Sequence, residues 1–89
     1  MHAVVVRVSI TDPENAQKEL NERVVPFVSQ APGFVAGYWT RADDGSNGVS
    51  MLVFESEDAA RNAAERIPGQ VPQGVTFESA EVREVIANA

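Results

Sequence analysis

Arg7, Tyr38 and Trp39 are the side chains in this sequence best suited to holding a small molecule. The guanidinium of Arg7 could anchor an anionic or phenolate group, or stabilise negative charge that develops in a reaction. The indole of Trp39 could stack on a flat aromatic ligand, and Tyr38 adds a second ring that carries a hydroxyl.

Each of these residues also has a structural alternative. Arg7 could form an ion pair with Glu78, with Glu81 or with a carboxylate of a partner chain. Trp39 could anchor a dimer interface, where tryptophan is enriched. Tyr38 could be a core residue whose hydroxyl finds a backbone partner. The structural roles are the more common ones for such residues, so both interpretations stay open at this point.

The remaining reactive side chains give little support for a catalytic site. His2 is the only histidine and could act as a general base, but residues beside a terminus are usually frayed. Ser50 and Ser79 lack the nearby His and acid that activate a nucleophile. Three glutamates near the C-terminus do not have metal-ligand spacing: Glu78, Glu81 and Glu84. The sequence therefore predicts no metal and no cofactor, and it leaves the catalytic residues unknown.

Composition narrows the classes of partner. The 89 residues are enough for one domain, spanning 1–89, and the 44% of hydrophobic residues is typical of a folded chain. The net charge of −6 argues against nucleic acid and against an anionic membrane surface. The absence of cysteine excludes disulfides and thiolate chemistry, and the N-terminus lacks the pattern of a signal peptide. A cytoplasmic location fits these features best.

Hydrophobic periodicity predicts six elements. Four strands are expected from period-two patterns and β-branched residues, at 2–10, 34–41, 49–56 and 75–86. Two helices are expected at 11–30 and 56–67, with Thr11 or Asp12 and then Ser56 as caps. The buried stripe of the first helix should hold Ala16, Leu20, Val24 and Phe27. Pro26 should kink or end that helix near its last turn.

The element order β-α-β-β-α-β is the ferredoxin-like α+β pattern, a four-stranded antiparallel sheet with two helices on one face. The other sheet face should be polar if it meets water, yet the first and third strands are apolar on both faces. A contiguous exposed apolar patch is rare in monomers. The sequence therefore predicts a homodimer in which two sheets pack through their open faces.

Strand parity assigns the two large aromatic residues to opposite faces. We place Trp39, with Gly37 and Arg41, on the open face next to Arg7. Phe34, Ala36 and Tyr38 then lie under the helices. A β-bulge in the second strand would invert this assignment.

Two segments, "APGFVAGYW" at 31–39 and "LVFESEDAARNAAE" at 52–65, resemble the antibiotic biosynthesis monooxygenase-like family of the dimeric α+β barrel superfamily. The resemblance covers nearly the whole chain. It implies a homodimer with a cavity between sheet and helices. Activities in the superfamily range from cofactor-free oxygenation of aromatic substrates to haem degradation and isomerisation, and some members have no established activity.

The haem-degrading branch uses a haem-ligating histidine on the second helix, an asparagine near the first strand and a tryptophan. This chain has only Trp39 of that set, so the comparison disfavours haem. The expectation is a homodimer that binds a small hydrophobic or aromatic molecule and has cofactor-free monooxygenase-like activity. The alternative is a non-catalytic ligand-binding, sensor or structural dimer module.

Overall fold

The computed structural model describes all 89 residues and has the predicted β-α-β-β-α-β order. The strands are β1 (His2–Ile10), β2 (Phe34–Arg41), β3 (Asn47–Phe54) and β4 (Val75–Glu84). The helices are α1 (Pro13–Glu19), α2 (Val25–Ser29) and α3 (Glu57–Arg66), and a 3₁₀ turn at Ile67–Gln70 follows α3. The strands form one antiparallel sheet in the order β2-β3-β1-β4. The ferredoxin-like α+β fold is thus confirmed.

Both α1 and α3 begin at a residue whose side chain caps the helix. Asp12 accepts a hydrogen bond from the amide of Asn15 at 3.2 Å, so Asp12 rather than Thr11 is the cap of α1. The hydroxyl of Thr11 instead donates to the carbonyl of Gly74. Ser56 caps α3 as predicted, because its hydroxyl accepts from the amide of Ala59 at 3.1 Å.

A π-helical turn at Leu20–Val24 joins α1 to α2, and the three segments form one continuous first helix, residues 13–29. The amide of Val25 donates to the carbonyl of Leu20, five residues back. The ring of Pro26 lacks an N–H and would collide with the carbonyl four residues before it, so a widened turn accommodates the proline. Pro26 therefore neither ends the helix nor stops it from continuing to Ser29.

The wider turn shifts the helical phase by one residue. Val28 is 6% exposed and belongs to the core, whereas Phe27 is 42% exposed. The prediction that Phe27 completes the buried stripe is wrong, because after the π turn Val28 occupies the buried position that a regular α-helix would give to Phe27. Ala16 is buried as predicted, and Leu20 is half-buried.

The core lies between the sheet and the two helices. It is a cluster of buried side chains from β1, β3 and both helices: Val4, Val6, Val28, Leu52, Phe54 and Ala60. The rings of Phe34 and Phe54 pack edge to face with centroids 5.8 Å apart. The small residues of α3 let that helix lie close to β1 and β4, which it contacts directly.

A β-bulge in β2 inverts the predicted faces of that strand. Phe34 pairs with Phe54, but Ala36 pairs with Val53, so Val35 is an extra residue without a partner. Beyond the bulge, Trp39 pairs with Ser50. The assignment of Trp39 to the open face is therefore wrong, as it is for Gly37 and Arg41, which lie under the helices.

The same shift moves Ala36 and Tyr38 to the open face, contrary to the prediction. Tyr38 pairs with Met51, which pairs in turn with Val5 of β1, and the three form one row across the sheet. Tyr38 is 71% exposed and Met51 is 48% exposed. The apolar open face that the sequence predicts is present, but Tyr38 is its aromatic residue rather than Trp39.

Candidate functional site

A cavity of about 490 Å³ lies between the first helix and the helix-facing side of β1, β2 and β3. Its volume falls within the range of small-molecule sites, about 300–1,000 Å³. The 3₁₀ turn and the segment before β4 close one side through Ile67, Val71 and Pro72. Fifteen of the 25 residues that line the cavity are hydrophobic. The cavity therefore suits a mainly apolar molecule.

Small residues at helix-facing positions of the sheet explain why the cavity exists. Gly37 of β2, with Gly48 and Ser50 of β3, occupies helix-facing positions that line the cavity and carry little or no side chain. A methyl group added to Gly48 would meet the carbonyl oxygen of Thr40 at 2.8 Å and Val8 at 3.3 Å. Because these positions have little or no side chain, space remains between the sheet and the first helix.

Trp39 forms the aromatic part of the cavity floor, and Gly37 sets the position of its ring. A methyl group at Gly37 would lie 2.9 and 3.0 Å from two carbons of the Trp39 ring and 3.2 Å from Leu52. The outer edge of the indole, at Cη2 and Cζ3, thus lies over the bare backbone of Gly37. This is the close approach that explains a glycine inside a strand. Trp39 presents a fixed aromatic surface to the cavity.

The polar groups of the cavity are few. Ser50 lies between Val6 and Trp39 in the floor, and its hydroxyl makes no side-chain hydrogen bond within the chain. Arg41 and Gln17 face each other from sheet and helix, with 3.4 Å between Nη1 and Oε1. A mainly apolar pocket with a few converging polar groups is typical of a ligand site.

Arg7 lies on the open face, as predicted, but away from the cavity. It pairs with Val49 and Ser79 across the sheet and is exposed. Neither predicted intrachain partner contacts it, because Glu81 pairs with Arg83 at 2.9 Å and Glu78 accepts a hydrogen bond from Ser9. The prediction that Arg7 and Trp39 share one region is wrong, because the two lie on opposite faces of the sheet.

Tyr38 borders the cavity through its place in β2 between Gly37 and Trp39. Its pairing with Met51 directs its side chain to the open face instead. The structure therefore separates the three residues that the sequence proposed as ligand contacts. Trp39 lines the cavity with its ring, while Arg7 and Tyr38 lie on the other side of the sheet.

His2 is not frayed, contrary to the sequence-based expectation, because it starts β1 and pairs with Phe54 and Glu84. Its Nε2 lies 3.9 Å from a carboxylate oxygen of Glu57, and its buried Nδ1 has no hydrogen-bond partner. Hydrogen bonds from Arg61, and then its charge, lower the pKa of Glu57. This cluster sits at the start of β1 and of α3, outside the cavity.

The cavity holds no side chain that is an obvious general base. No His, Asp, Glu or Lys is among its lining residues, and Arg41 is its only charged group. No group of three or more His, Cys, Asp or Glu side chains is arranged to hold a metal ion. None of the helices is long and apolar enough to span a membrane.

Solved structures share this architecture across nearly the whole chain. SnoaB, a cofactor-independent oxygenase from Streptomyces nogalater, matches with a TM-score of 0.72 at 20% identity, covering 98% of this chain and 94% of SnoaB. A dimeric ferredoxin-like protein from an uncultured marine organism matches with a TM-score of 0.63 at 11% identity, covering 100% of this chain and 98% of the other. The chain has the fold of the antibiotic biosynthesis monooxygenase-like proteins, the ABM-like fold.

The haem-degrader MhuD from Mycobacterium tuberculosis also has the ABM-like fold. It matches with a TM-score of 0.53 at 23% identity, covering 97% of this chain and 98% of MhuD, and its structure holds two haems in the active site. The cavity of this chain does not fit haem, because no His, Cys or Met lines it and its one tyrosine, Tyr38, directs its side chain to the open face. No protein-family model and no curated protein sequence matches the chain.

Proposed function

We propose that this protein binds a small hydrophobic or aromatic molecule in the cavity over Trp39. The observation that carries the proposal is a cavity of about 490 Å³ with mainly hydrophobic walls and a fixed indole in its floor. Aromatic rings stack well on such a surface. Likeness to SnoaB, a cofactor-independent oxygenase, supports an oxygenase reaction at this site.

The reaction proposed is oxygenation of the bound molecule without a cofactor. A methylene made acidic by conjugation with an aromatic ketone loses a proton to solvent or to a basic group of the substrate. The carbanion then reduces dioxygen, a new C–O bond forms, and the peroxide anion takes up a proton. The hydroperoxide that forms loses water and leaves a carbonyl. One oxygen atom enters the product and the other becomes water. The protein supplies desolvation and a fixed position, which an apolar cavity favours.

The second candidate is a non-catalytic ligand-binding, sensor or structural module. The absence of His, Asp, Glu and Lys from the cavity lining favours this function, because proton removal then needs a base from solvent or from the substrate itself. In either case we propose a homodimer packed through the open faces. Tyr38 and Arg7, on that face, then contact the partner rather than the ligand.

Binding is tested with N-phenyl-1-naphthylamine, an uncharged aromatic fluorophore that accepts energy from tryptophan. Trp39 is the only tryptophan, so we expect saturable quenching of its emission at one ligand per chain. Ser50→Phe fills the cavity floor and should abolish the quenching. Ser29→Phe, at an exposed helix end outside the cavity, is the matched control and should not. Absence of saturable quenching in the wild type would contradict the proposed ligand site.

The two candidate functions are separated by oxygen uptake. The wild type and Ser50→Phe are incubated with anthrone, an aromatic ketone with an acidic methylene, under ¹⁸O₂. An oxygenase should consume dioxygen faster than buffer does and place a single label in the product carbonyl. Saturable binding with uptake equal to that of buffer would instead establish the non-catalytic function for this ligand class.

A further inference from the structure

The charge of the cavity is opposite to the charge of the protein. The chain carries a net charge of −6, yet Arg41 is the only charged residue that lines the cavity. Arg41 is exposed, and like Arg7 and Arg66 it has no carboxylate within 4.0 Å, whereas the other three arginines each have a carboxylate partner. Arg41 is therefore an uncompensated cation at the edge of an apolar site.

The surroundings of Arg41 leave its donors available. Its one side-chain hydrogen-bond partner is the side-chain amide oxygen Oε1 of Gln17, and 3.4 Å is a long distance for a hydrogen bond. A guanidinium has five N–H donors in a planar fork, which matches the two oxygens of a carboxylate or sulfonate. The contact with Gln17 occupies at most one of these donors, and an incoming anion can replace it.

The floor beside Arg41 is formed by the bare backbone of Gly48, with Val8 and Ile10 at 3.3 and 3.6 Å from the place that a Cβ atom would take. Arg41 pairs with Gly48, so the neighbouring position in β3 carries no side chain. Arg41 and Trp39 are two residues apart on the same face of β2, which places their Cβ atoms about 7 Å apart. An aromatic body over Trp39 thus brings a substituent on its edge within reach of the Arg41 side chain.

We infer that the ligand of this cavity is an aromatic monoanion, whose ring lies on Trp39 and whose acidic group is bound by Arg41. This inference rests on the proposed ligand site and names the class of molecule that occupies it. Arg41 acts as the residue that selects for charge. The rest of the lining recognises shape and apolar surface, and Ser50 offers one hydroxyl to the ring system.

A matched pair of fluorophores tests the inference. 1-Anilinonaphthalene-8-sulfonate and N-phenyl-1-naphthylamine share the same aromatic body and differ by one sulfonate. Both are titrated against quenching of Trp39 emission. We expect the sulfonate to bind about tenfold or more tightly, the size expected for a hydrogen bond to a charged group. Its affinity should also fall with added NaCl, whereas that of the neutral compound should not.

Three variants assign the effect to Arg41. Arg41→Gln should remove the preference for the sulfonate and leave affinity for the neutral compound within about twofold. Arg41→Lys should keep part of the preference, because it keeps the charge but loses the planar fork. Arg66→Gln, an exposed arginine outside this cavity, is the control and should change neither affinity. Circular dichroism confirms that each variant is folded.

The failures of the two proposals are distinguishable. Equal binding of both compounds, with no response to Arg41→Gln, would overturn the selection of an anion and leave the cavity as a ligand site. Loss of sulfonate binding in Arg66→Gln would likewise overturn the role of Arg41. If neither compound quenches Trp39, both the ligand site and its charge preference are wrong.

Discussion

At the scale of residues, the absence of a side chain at Gly37 determines where the ring of Trp39 lies. The indole lies over the backbone of Gly37 and against Leu52, so a side chain at position 37 would occupy the same space. This contact holds the edge of the Trp39 ring, and Trp39 also lines the cavity. The ring is thereby ordered before any ligand binds, which lowers the entropy that binding costs.

Gly37→Ala tests this arrangement. The added methyl group would approach the indole to 2.9 Å, so the ring must move toward the cavity. Because the ring is the far part of a side chain, we expect a modest loss of stability, about 1 kcal/mol. We also expect a shift in Trp39 emission and weaker binding of N-phenyl-1-naphthylamine. Gly69→Ala, where nothing lies within 4 Å of the added methyl, is the control. Unchanged emission in Gly37→Ala would contradict the contact.

The sequence identified Trp39 as a candidate ligand contact but placed it on the wrong face. The strand boundaries of β2 were predicted correctly, and strict alternation from Phe34 leads to the open face for Trp39. Val35 breaks that alternation because it is the extra residue of a bulge. Neighbouring valine and alanine residues give no local signal for a bulge, so parity could not reveal it. Arg41 was missed for the same reason, although its glycine partner in β3 is visible in the sequence.

At the scale of elements, the first helix owes its course to Pro26. An α-helical turn would place the proline ring against the carbonyl of Glu22. The π turn at Leu20–Val24 avoids this clash and moves the later residues around the helix axis. Leu20 and Val24 of this turn line the cavity. The proline therefore contributes to the shape of the site without touching a ligand.

Paired alanine substitutions at 27 and 28 test the phase of this helix. Val28 is buried in the core, whereas Phe27 is 42% exposed and lines the rim of the cavity. We expect Val28→Ala to lower the free energy of unfolding by about 2 kcal/mol, through lost burial and a new cavity. Phe27→Ala should cost less, although phenylalanine is the larger residue. Chemical denaturation gives the free energy of unfolding of both variants. A larger decrease for Phe27→Ala than for Val28→Ala would contradict the phase shift and indicate a regular α-helical phase.

The helices and strands themselves could be predicted from the sequence, because the patterns that indicate them involve only neighbouring residues. Alternating β-branched residues predicted β1, and Ser56 with the acidic residues after it predicted the start of α3. The π turn required knowing that the first helix continues beyond Pro26. That continuation depends on packing of Val28 against the sheet, which is a tertiary contact. Local propensity alone does not contain it.

At the scale of the whole molecule, the two faces of the sheet have separate roles. One face carries the core and the cavity, and the other is open. The open face has exposed Met51 at its centre, beside Ala3 and Val5, which their neighbours already cover, and it has the Glu81–Arg83 ion pair at the β4 edge. An apolar centre bordered by charged groups is the anatomy of a protein interface. A homodimer with this face buried leaves both cavities accessible, because each cavity lies on the far side of its own sheet.

Met51→Arg tests the open face as the dimer interface. Met51 lies between Tyr38 and Val5 and is 48% exposed, so an arginine there should not disturb the core of one chain. In a sheet-to-sheet dimer the substitution buries two unpaired cations, at a cost of at least about 3 kcal/mol. Sedimentation should show a dimer for the wild type at micromolar concentration and a folded chain near 9.6 kDa for the variant.

The control for this experiment adds the same charge to the opposite side of the molecule. Asn62→Arg lies on the exposed surface of α3, which faces away from the open sheet face, and should remain dimeric. Binding of N-phenyl-1-naphthylamine by monomeric Met51→Arg further separates the two roles. Retained binding would mean that one chain builds the site alone, as the lining residues indicate. A wild type that stays near 9.6 kDa at every concentration tested, or dimeric Met51→Arg, would contradict the open face as the contact between copies.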